Sequence, residues 1–364
     1  MNWKRTAPAI LFSFFILLSA QRALAADRQD WNKDAAAARE ARARGEYALA
    51  QTFYKQAIEI QEKTLGPDSP AVAVSLNNLA VSYQDASMYT QANLAYRRAL
   101  AILEKRRGQE NLVGLTLNNL AALYHEQGQD TSAEAFYKRA LGIWEKIGTK
   151  ECGNEAITLT GLAGIYHSWS MDADAAWLYE KALVLWNDRG KTETPEVAEI
   201  RFHLAELYEA QSKNTEAEPM YSGALAIWQN SGQMNSKEAI AAEDNLGEIL
   251  RAEGKYAEAE PLLKQAVAAK ERRLGPDHLD VAASLSNLAL LYYCEGNYDA
   301  AEPMYKRALE IRSNNLGPAD PTVLETMQYY AAVLRQEGRE AEAQSLETHS
   351  KHGAVAQPRF EPIV

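Results

Sequence analysis

Apolar and small residues recur along the chain at helical spacing, and the whole pattern itself recurs. Leu76-Asn77-Asn78-Leu79-Ala80-Val81-Ser82-Tyr83 returns as Leu117-Asn118-Asn119-Leu120-Ala121-Ala122-Leu123-Tyr124 and as Leu285-Ser286-Asn287-Leu288-Ala289-Leu290-Leu291-Tyr292. With Leu79 as anchor, the equivalent positions are Ala37, Leu79, Leu120, Leu162, Leu204, Leu246, Leu288 and Tyr330. The step is 42 residues, with one step of 41, where a residue is lost between Ala99 and Leu120. The residue after each anchor is small: Ala38, Ala80, Ala121, Ala163, Ala205, Gly247, Ala289 and Ala331. Thirteen residues after the anchor stands alanine in all eight copies, from Ala50 to Ala343. Seventeen after it stand Tyr54, Tyr96, Tyr137, Tyr179, Tyr221, Leu263 and Tyr305, and then Glu347. Twenty after it stand Ala57, Ala99, Ala140, Ala182, Ala224, Ala266 and Ala308, and then Ser350.

These intervals predict two helices per repeat, each with an apolar stripe. The small residues mark where the two backbones approach, and the tyrosine fills the space beside them. One helix pair cannot bury its own stripe, whereas stacking the next pair does so. The chain therefore grows by adding repeats, and its 364 residues need not imply several separate cores.

Leu65-Gly66-Pro67-Asp68 and Leu274-Gly275-Pro276-Asp277 close two of the second helices, and Leu316-Gly317-Pro318-Ala319-Asp320 nearly repeats them. Glycine and proline stop a helix and turn the chain. With this ending and the Leu-Asn-Asn-Leu-Ala first helix, the pattern resembles the tetratricopeptide repeat in its 42-residue, kinesin light chain-like form. The resemblance implies an all-α fold, an α-solenoid coiled as a right-handed superhelix of about eight helix-turn-helix units, over residues 29–352. Gly108, Gly148, Gly190 and Gly232 keep the breaker in repeats that lose the full ending. The first and last repeats are atypical, as terminal caps with a polar outer face should be. The segment 353–364, with Pro358 and Pro362 and no period, is expected to be a disordered tail.

The N-terminus departs from the pattern. Lys4 and Arg5 precede an apolar run from Ala9 to Leu18, and Ala23-Leu24-Ala25 follows. This is the layout of a secretory signal peptide over residues 1–25, cleaved after Ala25. It predicts a periplasmic or secreted protein with no membrane insertion of the mature chain. Loss of residues 1–25 removes Lys4, Arg5 and Arg22 and no acid, so 35 basic face 49 acidic residues and the net charge falls from −11 to −14. Such a balance argues against nucleic acid as a partner, since phosphate recognition needs a basic stripe. Cys152 and Cys294 are more than three repeats apart, too far for a disulfide.

At about 100° per residue, Leu76, Leu79, Ala80 and Tyr83 fall on one side of the first helix of repeat two, and Val74, Asn78, Val81 and Asp85 on the other. The first set packs inside. The second faces the concave surface, the usual binding face of such arrays. Asn78 recurs there as Asn119, Asn245 and Asn287, interrupted by Gly161, His203 and Tyr329, which divides the series into two binding segments. An amide offers both donor and acceptor, so a ladder of them can hold the backbone of an extended peptide. The resemblance assigns that role to these four asparagines; the alternative is bonding to neighbouring helices. Glu199, Glu206 and Glu248 fall on the same side in repeats five and six, with Glu209 and Asp244 at its edge and Arg251 the nearby base. They form either a patch for a basic segment of a partner or a solvated face of an acidic protein.

Trp144, Trp186 and Trp228 recur near the ends of three second helices. They read as packing between repeats or, alternatively, as a face for self-assembly or attachment to a membrane complex. His125, His167 and His203 lack the spacing of a metal site, and no metal or cofactor is expected. Cys294 falls on the groove side and reads as a packing thiol. No catalytic motif is present. The sequence thus predicts an exported, non-enzymatic scaffold that binds protein or peptide segments, with Asn78, Asn119, Asn245, Asn287, Glu206 and Glu248 as the contact residues and homo-oligomerisation possible.

Overall fold

The computed structural model describes residues 31–148 and 152–355, and the expected signal peptide and residues 356–364 lie outside them. The described residues form helices joined by short turns, with no strand among them. The helices pair in chain order: α1 (31–43) with α2 (Tyr47–Leu65), α3 (Pro70–Asp85) with α4 (Tyr89–Glu104), α5 (Glu110–Glu126) with α6 (Asp130–Ile147), and α7 (Cys152–Ser168) with α8 (Asp172–Asp188). The pairs continue as α9 (Pro195–Ala210) with α10 (Asn214–Ser231), α11 (Lys237–Ala252) with α12 (Tyr256–Leu274), α13 (Leu279–Glu295) with α14 (Tyr298–Leu316), and α15 (Pro321–Gln336) with α16 (Glu340–Val355). The chain divides after Gly190 into two compact units, each holding four helix pairs.

Local chemistry explains the boundaries. Ser69 caps α3 by accepting from the amide of Ala71, and Pro70 occupies the first turn, where no amide hydrogen is needed. Ser236 caps α11 and Asp320 caps α15 in the same way. The turn inside each pair needs one residue at positive φ, eight positions after the anchor. Glycine supplies it at Gly45, Gly128, Gly254, Gly296 and Gly338, whereas Ser87, Ser170 and Ser212 hold it at 56°, 59° and 59°. An L-residue with a side chain is strained there. The residue lost from the period falls in the connection Gly108-Gln109, directly after which α5 begins.

The core follows the period. Every alanine thirteen residues after the anchor is fully buried, as are the alanines twenty after it from Ala57 to Ala308. Tyr54, Tyr96, Tyr137, Tyr179, Tyr221 and Tyr305 are buried as well. Leu76, Leu79, Ala80 and Tyr83 lie inside, as the helical wheel requires. Where the tyrosine becomes Leu263, the small partner shrinks to Gly247: a Cβ there would meet Leu263 Cδ2 at 2.7 Å. Trp144 is fully buried and lies across Gly114, where a Cβ would stand 2.4 Å from the ring. Its indole N–H donates to Thr158 Oγ1 at 2.8 Å, which locks α6 to α7.

The last helix runs to Val355, past the expected end of the array at His352. Gly353-Ala354-Val355 contains no proline to stop it, the first being Pro358. No helix among the described residues is long and apolar enough to cross a membrane.

Candidate functional site

The candidate site is, in each unit taken by itself, the strip of residues on the outward side of its first helices: α3, α5 and α7 in the first unit, and α9, α11, α13 and α15 in the second. Each first helix is flanked on two sides, so it buries a wide face and leaves a narrow one. In α3 the residues left are Val74, Asn78, Val81 and Asp85, with Val74 and Asp85 exposed and Asn78 and Val81 half-buried. Of the paired asparagines, Asn77 is the packing residue: its Nδ2 donates to Thr116 Oγ1 of α5 at 2.8 Å.

The first unit leaves its ladder amides unengaged. Asn78 and Asn119 are half-buried, and neither side chain has a hydrogen-bond partner among the described residues. They are flanked by exposed Val74, half-buried Leu115 and exposed Ile157 on one side, and by Val81, Ala122 and Gly164 on the other. The edge of this strip is polar and cross-linked. Arg42 pairs with Asp85, and Gln84 Nε2 donates to Glu126 Oε1 at 2.6 Å. Tyr96 donates its hydroxyl to Gln84 Oε1 at 3.2 Å.

In the second unit the ladder amides are engaged. Asn245 Nδ2 donates to the Tyr221 hydroxyl at 2.9 Å, and that hydroxyl donates to Glu209 Oε2 at 2.7 Å. Burial holds the Glu209 carboxyl above the usual carboxylate range, partly offset by the Tyr221 hydrogen bond. Asn287 Nδ2 reaches Asp244 Oδ1 at 3.5 Å, the limit of a hydrogen bond. Glu206 pairs with His203 Nδ1 at 3.0 Å. Glu248 lies 3.8 Å from Arg251, and its Oε1 is buried with no partner among the described residues. Burial pushes the Glu248 carboxyl up against the pull of Arg251, and it pushes Glu199 up as well.

Two expectations change here. Asp244 is not at the edge of the strip: it is buried, bonded to Lys270 at 2.5 Å and Ser284 at 2.6 Å. Its helical position points between α12 and α13, where Lys270 takes the place that Trp144 and Trp228 have in their own repeats. Cys294 is exposed and is not a packing thiol; Arg251 Nη1 donates to its Sγ at 3.9 Å.

The tyrosines beneath the strip were legible only as packing, yet they decide what stands at the ladder position. The Tyr137 ring covers Gly161, where a Cβ would stand 2.3 Å from it, so an asparagine cannot fit. Tyr305 stacks on Tyr329, with ring centroids 6.1 Å apart. Tyr221 instead offers its hydroxyl to Asn245. The signal was the equal spacing of these tyrosines from the next repeat's ladder residue.

Trp144, Trp186 and Trp228 are all buried, so they form no exposed self-assembly face. Among the described residues, the exposed tryptophans are Trp169 and Trp177. His125, His167 and His203 each bond a nearby carboxylate, of Asp130, Asp172 and Glu206.

Stacked helix pairs with a strip of first-helix residues define an α-solenoid. The tetratricopeptide repeat profile matches residues 31–105, 112–188, 237–314 and 280–350, and the chain belongs to that family. Solved structures share the fold. BtubC (BKLC) from P. vanneervenii is 24% identical over 64% of this chain and 93% of its own, with a TM-score of 0.50. PilF of Pseudomonas aeruginosa is 16% identical over 71% and 97%, with a TM-score of 0.52. The apo form of RapI is 13% identical over 77% and 97%, with a TM-score of 0.51. A comparison with curated proteins gives no match.

Proposed function

We propose that this chain is an exported scaffold that holds extended protein or peptide segments along its first-helix strips, with different selectivity in its two units. The tetratricopeptide fold supports a role in protein interaction. The observation that carries the groove reading is the pair of unengaged, half-buried amides, Asn78 and Asn119, side by side on the outward face of α3 and α5. Each can bond both the N–H and the C=O of a strand laid across it, while Val74, Leu115 and Ile157 take apolar side chains. In the second unit Glu206 and Glu248 take lysine or arginine side chains, and the unpartnered Glu248 oxygen is the acceptor a cation would complete. Export rests on the charged start, apolar run and Ala23-Leu24-Ala25 of the sequence.

Selection of random displayed peptides on the purified chain tests the binding role. Two classes are expected, one apolar and lost on N78A/N119A, the other rich in lysine and arginine and lost on E206Q/E248Q. Peptides that bind both variants as they bind the parent would remove the strip from consideration. N-terminal sequencing of the protein recovered from a cell-envelope fraction tests export, with Ala26 as the expected first residue; an intact Met1 start in the cytosol would refute it.

A further inference from the structure

A separate feature lies on the opposite flank of α11. Glu243 is two residues from Asn245, about 200° around the helix, and points away from the strip. At its position four other repeats carry Leu76, Leu117, Leu159 and Leu285, all buried, and the remaining three carry Asp34, Arg201 and Met327, all only half-buried. Glu243 is as buried as the leucines, at 3% exposure, yet it has no hydrogen bond or ion pair among the described residues. It lines a cavity of about 400 Å³ between α10 and α12, walled by Leu225, Leu262 and Met234. Arg272 stands at the same cavity, exposed, and attracts Glu243 without forming an ion pair with it. Two further cavities adjoin it, one sharing Leu225 and Leu262 and the other sharing Arg272, so the space continues as a groove along α12.

A position as deeply buried as the four leucines gains nothing from a lone carboxylate, whereas the charged Asp34 and Arg201 at this position are half-buried. Burying an unpaired ionisable group is costly, and such groups sit where something completes them. We propose that this cavity binds a small zwitterion of the amino-acid class, with its ammonium on Glu243, its carboxylate on Arg272 and its apolar part between Leu225 and Leu262. The volume lies within the range of small-molecule sites. The two opposite charges line one space without touching each other, which leaves a gap that a ligand carrying both charges bridges. Burial pushes the Glu243 carboxyl up to about 7, and an ammonium group beside it would draw it back down.

The test is isothermal titration of the full chain with L-leucine, L-phenylalanine and 4-aminobutyrate, and with 3-methylbutylamine and 4-methylpentanoate as single-charge controls. At least one zwitterion should bind, the amine at least tenfold more weakly and the acid not at all. Glu243→Leu should lose the ligand at least tenfold while keeping the parent's helical circular dichroism, since leucine fills this position in four other repeats. Arg272→Gln should bind the zwitterion no more tightly than the amine. No binding by any zwitterion at millimolar concentration, or equal binding by Glu243→Leu, would overturn the proposal. An Arg272→Gln variant that still prefers the zwitterion would overturn the carboxylate half.

Discussion

The two units use one repeat to make two different surfaces, and they contain joints of different chemistry. In the first unit the strip is apolar beside unengaged amides, and the joint between α6 and α7 is a tryptophan closed over Gly114 and bonded to Thr158. In the second unit the strip is acidic, Asn245 is bonded to Tyr221, and the joint between α12 and α13 is Lys270 with Asp244 and Ser284, whereas α10 keeps the buried Trp228 at the equivalent position. The alanine scaffold is the same in both up to Ser350, and the tyrosine changes only at Leu263 and Glu347 of the second unit. The repeat thus fixes where side chains stand, and the chemistry at a few non-scaffold positions decides what each unit offers. Among the described residues, the four carboxyls pushed up by burial, Glu199, Glu209, Glu243 and Glu248, all lie in the second unit.

That contrast can be broken by mutation. Trp144→Ala should cost about 3–5 kcal/mol, the usual loss for a buried tryptophan, read by chemical denaturation and insensitive to salt. A loss under about 1 kcal/mol would mean that the first unit's joint does not depend on it.

The pH response should differ next. A carboxyl whose folded pKa is raised holds its proton more tightly folded than unfolded. Its contribution is therefore most favourable below the unfolded value and declines as pH rises to the folded one. For Glu243 the window runs from 4.5 to about 7, and the decline is on the order of 2–3 kcal/mol. Asp244 adds to the upward push and Arg272 opposes it. Glu243→Leu should flatten stability across this window and raise the melting temperature at pH 8. An unchanged pH profile would show that Glu243 is not the source.

The asparagines should separate by unit. Asn245→Ala removes the donor to Tyr221 and should cost about 1 kcal/mol of stability, whereas Asn78→Ala and Asn119→Ala should cost almost none. Equal losses at all three would mean that the first-unit amides are structural too. The smallest effect is in the turns. Ser87→Gly, Ser170→Gly and Ser212→Gly relieve a left-handed backbone and should each raise stability by roughly 0.5–1 kcal/mol, less what glycine loses in unfolded-chain entropy. A loss at any of them would mean that the serine side chain holds the turn.

Much of this was legible in the sequence because the scaffold positions repeat in the middle of the chain with one exception, Leu263 in place of tyrosine. Small residue, alanine and tyrosine at fixed offsets predicted the helix pairs, the buried faces and the outward set Val74, Asn78, Val81 and Asp85. What was not legible depended on contacts between repeats. Asp244 looks like an edge residue on a wheel drawn for one helix, and only the neighbouring Lys270 and Ser284 show it to be interior. Gly161 looked like a lapse in the ladder until the Tyr137 ring was found over it. Glu243 was detectable in principle, as a glutamate where four other repeats carry leucine, but its meaning needed the cavity beside it.

The most direct test of the two-surface account is a crossed titration. One apolar and one lysine-rich peptide, each extended and about ten residues long, would be titrated into the parent, N78A/N119A and E206Q/E248Q by fluorescence anisotropy. The expected result is selective loss. N78A/N119A should weaken the apolar peptide about 30-fold, from two hydrogen bonds worth about 1 kcal/mol each, and leave the basic peptide unchanged. E206Q/E248Q should weaken the basic peptide about 100-fold at low salt, less at high salt, and leave the apolar peptide unchanged. If both variants weakened both peptides alike, the two units would form one undivided surface and the account would be wrong.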